Sequence, residues 1–232
     1  KEVYLVDFSY SLEQLQQILT VCSFLTILDH HKTLLDNLAI LGHHPKLDSK
    51  HCRDTSSGCI IAWEYLNPGE KAPEVLLHIQ DRDLWRFDLN HTREINAALF
   101  ATEYTDFDVF SNAIKDIHYL RAVGDILVKD QGNRTRKIAS GASEESGVWL
   151  GKRGRVWRVN APRDLASEVG NLLCKIPTSG GDLPLFVDCW LVYKDTLERS
   201  RRSLGDFDVS EVAKNRGGGG HKNAAGFKEK FQ

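Results

Sequence analysis

The pattern of hydrophobic and polar positions predicts a strand–helix–strand unit at the start of the chain. Residues 3–6 and 24–28 are two short apolar runs, and each of them ends at an aspartate. Between them, the apolar residues of 12–19 are spaced as on one face of a helix, with Ser11 in the N-cap position. The default arrangement is a parallel strand pair joined by a crossover helix. In such sheets, ligands bind beyond the carboxyl ends of the strands.

Further periodic segments extend this unit into an α/β domain with a mostly parallel sheet. The pattern predicts a helix over 57–66, a helix or strand over 73–79, and a mostly helical stretch over 95–127 that is broken at 104–106. Residues 129–146 are polar, and their second half is rich in glycine and serine. We interpret this segment as the end of a linker helix followed by a connector between domains.

The pattern of strands and helices predicted beyond the linker is typical of a smaller α+β domain. The sequence therefore predicts two domains, at 1–128 and 147–232. The elements predicted in the second domain are strands at 156–159, 185–193 and 196–203, a helix at 165–173, and a short helix at 209–214 that begins after Asp208. The second and third of these strands are separated by two residues, which predicts a hairpin.

Composition narrows the class of protein. The 232 residues are 41% hydrophobic and 27% charged, as in an ordinary globular protein. A net charge of −2 argues against a general nucleic-acid coat protein, which would be basic. No apolar run reaches the roughly 20 residues that a membrane-spanning helix needs. The five cysteines show no CxxC spacing, which argues against a disulfide framework or a zinc knuckle and predicts a reducing cytoplasm.

Metal-capable side chains follow both predicted strands. Asp7 ends the first, and Asp29-His30-His31 ends the second. Carboxylates and imidazoles suit divalent ions such as Mn²⁺, and Asp81 at the end of a later segment could join them. Asp29 could orient an imidazole as a hydrogen-bond acceptor. Alternatively, these aspartates are helix caps or turn residues, and adjacent histidines occur by chance, as at His43-His44.

A second candidate site is the glycine run at 217–220. Four consecutive glycines are costly to order, so such a run favours a place where the backbone approaches a ligand. Successive free N–H groups can form an anion-binding concavity there, and Arg202 on the predicted hairpin could reach it. The alternative is a flexible surface linker. Trp85, which lies close to Asp81 in sequence, is the tryptophan most expected to stack on a base.

Several motifs together resemble those of a known family. The segment TILDHHKT, preceded by VDFS, resembles a motif of the DHH phosphoesterase superfamily. The segments SSG, QDRDLWRF and REINAAL further along the chain resemble other motifs of the same superfamily. The likeness is greatest to its oligoribonuclease, or nano-RNase, branch. The segment GGGGHKNAAGF resembles the signature of the DHHA1 domain, and residues 200–203 resemble the S-x-R-S strand of that domain. The resemblance implies a DHH domain followed by a DHHA1 domain, with the active site in the cleft between them.

The resemblance also implies roles for single residues. Two Mn²⁺ ions, or Mg²⁺ in their place, would be held by Asp7 as the bridging carboxylate, by His30 and by Asp81. His31 would face the substrate phosphate, so that with Asp29 and His30 it would form the catalytic group. Asp83 is a rival to Asp81, although a salt bridge or a cap would also explain it. The residues implied to bind substrate are Arg202, Ser203, Gly218, Gly219, Gly220, His221 and Asn223.

The function implied is that of a metal-dependent phosphodiesterase of the exonuclease type. Its substrates would be short single-stranded RNA or DNA, or a mononucleotide such as 3′-phosphoadenosine 5′-phosphate. No membrane partner is expected, and a homodimer is left open. The family's first metal motif has no counterpart here, and we expect it in a segment before Lys1. A cyclic-dinucleotide phosphodiesterase and an inactive nucleotide-binding module that lacks this motif are the alternatives.

Overall fold

The computed structural model describes residues 1–102, 108, 111–112 and 114–230, which form mixed α/β structure with one parallel and one mixed sheet. The chain folds as two compact units, Lys1–Asp130 and Gln131–Gln232. Among the described residues, none of the helices has both the length and the apolar character required to cross a bilayer.

The first unit is built on a three-stranded parallel sheet. Strands β1 (Glu2–Val6), β2 (Phe24–Leu28) and β3 (Leu47–Asp48) lie in that order across the sheet. Helix α1 (Leu12–Val21) connects the first two, and helix α2 (Lys32–Leu41) follows the second. The predicted strand–helix–strand unit is therefore confirmed. It places the carboxyl ends of β1 and β2 side by side.

Helix α1 begins where the sequence predicts. The Ser11 side chain accepts a hydrogen bond from the Gln14 backbone N–H, and the Gln14 side chain accepts one from the Ser11 backbone, which completes a capping box. The buried face of α1 carries Leu15 and Leu19, which pack with Leu25 and other residues of the sheet. Burying such a leucine contributes about 1.5–3 kcal/mol to stability.

Helices follow the sheet along the chain, and the last of them continues past Asp130 into the second unit. Helix α3 (Gly58–Leu66) and helix α4 (Glu74–Asp83) precede α5 (Thr92–Ala101) and the long α6 (Ile117–Ala139). The segment predicted as helix or strand at 73–79 is thus a helix, and it continues to Asp83. The break predicted at Tyr104-Thr105-Asp106 lies outside the described residues.

The second unit is a six-stranded mixed sheet. Its strands are β4 (Ser143–Trp149), β5 (Lys152–Asn160), β6 (Val187–Tyr193), β7 (Thr196–Arg202), β8 (Gly219–His221) and β9 (Ala224–Lys230). Their spatial order is β4-β5-β6-β7-β9-β8, and β5 and β6 form the parallel pair. The predicted hairpin is confirmed, because β6 and β7 pair antiparallel across a two-residue turn.

One helix of this unit packs on each face of the sheet. Helix α7 (Ala166–Leu173) buries Val169 against strand residues that include Val187. Helix α8 (Val209–Lys214) packs with Phe186 and Phe227 on the other face. Asp208 caps α8 as predicted, because its carboxylate accepts from the backbone N–H of Ser210.

The end of a linker helix predicted within 129–146 is present, but the connector predicted after it is only residues 140–142, and this second part is a correction. Helix α6 continues to Ala139, and β4 begins at Ser143. The sequence is misleading because β4 is a polar edge strand whose carboxylates pair across the sheet. Glu145 lies 2.7 Å from an Arg158 nitrogen, so the strand needs few apolar side chains.

Candidate functional site

The carboxyl ends of β1 and β2 bring together four metal-capable residues. Ligand atoms of Asp7, Asp29, His30 and His31 all lie within 4.8 Å of one another. Parallel pairing produces this cluster, since Val6 is paired with Leu28 and each strand ends just before its polar residues. The predicted convergence of Asp7 with the Asp-His-His triplet is present in the structure.

His30 is the centre of this cluster. Its side chain is only 1% exposed, and its Nε2 atom lies 3.3 Å from Asp7 Oδ1 and 3.2 Å from Asp83 Oδ2. Ligands that share one ion, each about 2.0–2.2 Å from it, are separated by distances of this order. Carboxylate oxygens from two other elements therefore approach the same point, the Nε2 atom of His30.

Asp7 reaches this point through an unusual backbone conformation. Its φ angle is +58°, in the left-handed region that residues other than glycine rarely adopt. Its carboxylate lies against the first turn of α3, where a Cβ atom on Gly58 would be 2.0 Å from Asp7 Oδ1. A glycine at 58 is thus required for Asp7 to occupy this place, which gives a physical reason for the SSG motif.

Asp81 is not part of the cluster, contrary to the prediction from the resemblance. Its side chain is buried, and it accepts hydrogen bonds from the backbone N–H groups of Asp88 (2.9 Å) and Leu89 (3.0 Å) and from Thr92 Oγ1 (2.5 Å). Burial opposes its ionisation, but these hydrogen bonds outweigh that effect and lower the pKa of Asp81. Asp81 therefore organises the turn that follows α4.

Asp83 takes the place predicted for Asp81. Two positions along a helix turn a side chain by about 200°, so the two aspartates cannot face the same side. The Asp83 side chain is 41% exposed, but the loss of solvent around its carboxylate still raises its pKa; His30 opposes this rise, and the negative charge of Asp7 adds to it. Two carboxylates that face one nitrogen repel each other, and a bound cation would relieve this repulsion.

Asp29 and His31 form a pair beside this point. The Asp29 side chain is fully buried, and its Oδ1 atom accepts from the His30 backbone N–H (2.7 Å) and lies 2.7 Å from His31 Nδ1. Burial would raise the pKa of Asp29, but the interaction with His31 outweighs it and the pKa is lowered. Because Nδ1 is held by Asp29, the orientation of the His31 ring is fixed. Asp29 is therefore an orienting residue, as its position after β2 suggests.

The glycine run differs from the predicted concavity of free N–H groups. The N–H groups of Gly217 and Gly218 donate to the carbonyl oxygens of Lys214 and Ala213, both at 3.0 Å, and so complete the end of α8. Gly217 has φ +75°, the conformation common at a helix C-terminus. These two glycines are explained by the fold, and their N–H groups are already used.

The next residues of the run form strand β8 rather than a loop. Gly219 pairs with Gly226, and Gly220 pairs with Ala225. Gly220 has φ +135°, and a Cβ atom there would lie 2.5 Å from the Ala224 carbonyl oxygen. Close approach of two backbones is therefore what this glycine permits.

Ser203 and Asn223 hold a turn together. The buried Ser203 hydroxyl donates to the Phe207 carbonyl oxygen (2.7 Å) and accepts from the Asn223 amide (3.0 Å). The same Asn223 amide donates to the Gly205 carbonyl oxygen at 3.1 Å. The predicted role of Ser203 as a ligand for substrate does not fit this position, because its hydroxyl is internal.

Arg202 and His221 lie on the same face of the second sheet. Both are paired with Ala224, which lies between them on β9, and directly opposed residues share a face. The small side chain of Ala224 therefore separates the guanidinium from the imidazole. The Arg202 guanidinium also donates to the hydroxyls of Ser200 (3.0 Å) and Ser167 (2.7 Å), which fix its direction.

Sequence reasoning missed a buried charge network on the opposite face. Asp188 is fully buried and contacts the guanidinium groups of Arg199 and Arg201. The Arg201 guanidinium lies over the rings of Phe186 (5.1 Å) and Phe227 (4.7 Å). An aspartate inside an otherwise apolar strand was the available signal. The network stabilises β7, which carries Arg202.

Comparison with known proteins gives limited similarity. No family model matches the chain. An uncharacterised protein of Acanthamoeba polyphaga mimivirus is 34% identical over 230 residues, covering 97% of this chain and 52% of that protein, so the chain spans about half the length of this relative.

Two solved structures are similar at lower identity. An exopolyphosphatase-related protein from Bacteroides fragilis has 13% identity and a TM-score of 0.39, over 97% of this chain and 65% of that one. A pGpG-specific phosphodiesterase, PggH, from Vibrio cholerae has 10% identity and a TM-score of 0.36, over 96% and 83%. At these TM-scores, neither structure determines the fold or activity of this chain.

Proposed function

We propose that this protein is a metal-dependent phosphoesterase that hydrolyses short oligonucleotides or small nucleotides such as 3′-phosphoadenosine 5′-phosphate. The observation that carries the proposal is the approach of two carboxylates, from Asp7 and Asp83, to the buried Nε2 atom of His30. The DHH-like sequence motifs suggest the same class of reaction.

The donor set fits a divalent cation. Asp7 and Asp83 supply hard oxygen ligands and His30 supplies an imidazole, a combination that suits Mn²⁺ or Mg²⁺ rather than a structural zinc. The raised pKa of Asp83 reflects burial and the neighbouring charge of Asp7, and an ion at this place would offset both. When bound, such an ion polarises a phosphoryl oxygen and supplies a nucleophile at neutral pH.

The chain's own residues would position the substrate. His31, whose ring orientation is fixed by Asp29, would face the substrate phosphate. In the second unit, Arg202 and His221 lie on either side of Ala224 on one face of the sheet, and we expect them to contact the phosphate or sugar of a nucleotide.

The test is Mn²⁺-dependent turnover by His30→Ala and by a matched control. His43→Ala is suitable because His43 belongs to the other His-His pair and is exposed. We expect His30→Ala to lose Mn²⁺ binding, measured by calorimetry, together with hydrolysis of a ribodinucleotide. His43→Ala should retain both. Mn²⁺ binding and turnover that survive in His30→Ala would refute the assignment.

The choice of substrate separates the alternatives. The panel contains oligomers of two to twenty nucleotides, a nucleoside 3′,5′-bisphosphate and a cyclic dinucleotide. Faster turnover of the shortest oligomers agrees with the proposal, and a preference for the cyclic compound favours a cyclic-dinucleotide phosphodiesterase. If the wild type binds nucleotide and Mn²⁺ without turnover, an inactive binding module replaces the proposed enzyme.

A further inference from the structure

The end of helix α4 has a conformation that normally requires glycine. Trp85 has φ +57°, its N–H donates to the Arg82 carbonyl oxygen at 2.9 Å, and the N–H of Arg86 donates to the Asp81 carbonyl oxygen at 2.9 Å. This pair of bonds is the Schellman motif, in which the left-handed position is usually occupied by glycine because glycine has no Cβ atom. Here the position is occupied by the largest side chain.

A second bulky residue nearby has the same conformation. Phe87 also has φ +57°, and its ring centroid lies 5.0 Å from that of Trp85 in an edge-to-face arrangement. Left-handed bulky residues are true outliers, and they persist where the surrounding structure determines them, often at ligand sites. Glycine would form this turn with less strain, so the fold alone does not explain an aromatic residue at position 85.

The strained turn follows directly on the candidate metal centre. Trp85 lies two residues after Asp83, whose Oδ2 atom is 3.2 Å from His30 Nε2. Cations hold the rings in place, since the Arg93 guanidinium lies 3.7 Å from the Phe87 ring centroid and that of Arg82 lies 6.0 Å from the Trp85 centroid. Trp85 is half-buried, which leaves part of its indole accessible.

We propose that Trp85 is a specificity-determining residue that stacks on the nucleobase next to the phosphate that binds at the candidate metal centre. This inference rests on the proposed function, because it assumes a nucleotide substrate. An indole face suits any planar base, so the turn would select for the presence of a base rather than for its identity. The conformational strain at Trp85 is then retained because it aims the ring at the substrate.

The experiment compares two ligands and three proteins. The ligands are a ribodinucleotide with a phosphorothioate linkage, which slows turnover, and the same compound with both bases removed. Their dissociation constants are measured by calorimetry in Mn²⁺ for the wild type, Trp85→Gly and Leu150→Gly. Leu150 is a matched control because it is exposed, apolar and left-handed, with φ +48°, in the turn between β4 and β5.

The measured quantity is the preference for the base-bearing ligand. We expect Trp85→Gly to reduce this preference about tenfold, since stacking on one base is worth about one decade of affinity. Trp85→Phe should restore most of it, and Leu150→Gly should not change it. An unchanged preference in Trp85→Gly, or a wild type that binds both ligands equally or neither, would overturn the proposal.

Turnover of the ordinary dinucleotide is recorded separately. A wild type that binds with the expected preference but does not hydrolyse refutes the proposed enzyme and leaves the stacking role intact. If the wild type hydrolyses the dinucleotide, and Trp85→Gly has the same preference for the base-bearing ligand as the wild type, only the stacking role is refuted.

Discussion

Adding one methyl group at Gly58 tests the metal centre without changing any proposed ligand. The Cβ atom of Gly58→Ala would lie 2.0 Å from Asp7 Oδ1, about 1.4 Å short of ordinary contact at 3.4 Å. Rotation about χ1 does not clear the contact, because even Asp7 Cβ would be only 2.6 Å away. The backbone at Asp7 must therefore move.

The displacement of the Asp7 carboxylate determines how much Mn²⁺ affinity is lost. Ligand distances in metal sites are held to within about 0.2 Å, so a carboxylate moved by more than 1 Å no longer binds the ion. We expect Mn²⁺ affinity to fall 10- to 100-fold, as it does when groups that orient ligands are removed. This corresponds to about 1.4–2.8 kcal/mol. The crowding itself costs about 1–3 kcal/mol of folding stability, partly offset by the better helix propensity of alanine.

Calorimetric titration with Mn²⁺ and urea unfolding without metal measure the two effects. Gly132→Ala is the control, since Gly132 lies in α6 and its Cβ atom would meet nothing closer than an Arg136 nitrogen at 3.6 Å. That variant should gain about 0.5–1 kcal/mol of stability and keep its Mn²⁺ affinity. If Gly58→Ala acts through Asp7, the double variant with Asp7→Asn should lose no more affinity than Asp7→Asn alone. Undiminished Mn²⁺ affinity in Gly58→Ala, or additive losses, would refute the reasoning.

Two further predictions concern carboxylates with opposite roles. Asp81→Asn should lower the free energy of unfolding by about 1.5–3 kcal/mol, because the charge-assisted hydrogen bonds that hold the turn after α4 are weakened. Asp83→Asn should instead lose Mn²⁺ affinity, with little change in urea unfolding. Arg163 and Lys228 lower the pKa of Glu198 from 4.5 to about 2, so the stability that this carboxylate contributes is present above pH 4.5 and is lost as the pH falls towards 2. Glu198→Gln should therefore flatten the acid side of the stability curve measured by urea unfolding at pH 2–6.

The outcomes that would contradict these two predictions are specific. Equal destabilisation by Asp81→Asn and Asp83→Asn would mean that Asp83 is also a structural residue. Acid unfolding curves of wild type and Glu198→Gln that run parallel between pH 2 and 4.5 would show that the ion pairs of Glu198 contribute nothing.

The local sequence pattern was sufficient to predict the strands and helices that position Asp7 and Asp29-His30-His31. Apolar runs, the Ser11 and Asp208 caps and the hairpin spacing act over a few residues, so the sequence predicts them directly. The convergence of Asp7 with Asp29-His30-His31 also follows from sequence, because parallel strands place their carboxyl ends together.

Only the tertiary structure decided whether Asp81 or Asp83, at the end of α4, faces the metal centre. Asp81 and Asp83 differ in role because α4 ends at Asp83 and is turned so that Asp81 meets the N–H groups at 88 and 89. The glycine run was misread for a related reason. The N–H groups of Gly217 and Gly218 bond to α8, and Gly219 and Gly220 pair with β9; spacing within the run reveals neither partner. Sequence periodicity determines which face of an element is buried. The rotation of that element against its neighbours is determined by packing between distant segments. This rotation decides which polar groups form hydrogen bonds within the fold and which are placed at a site.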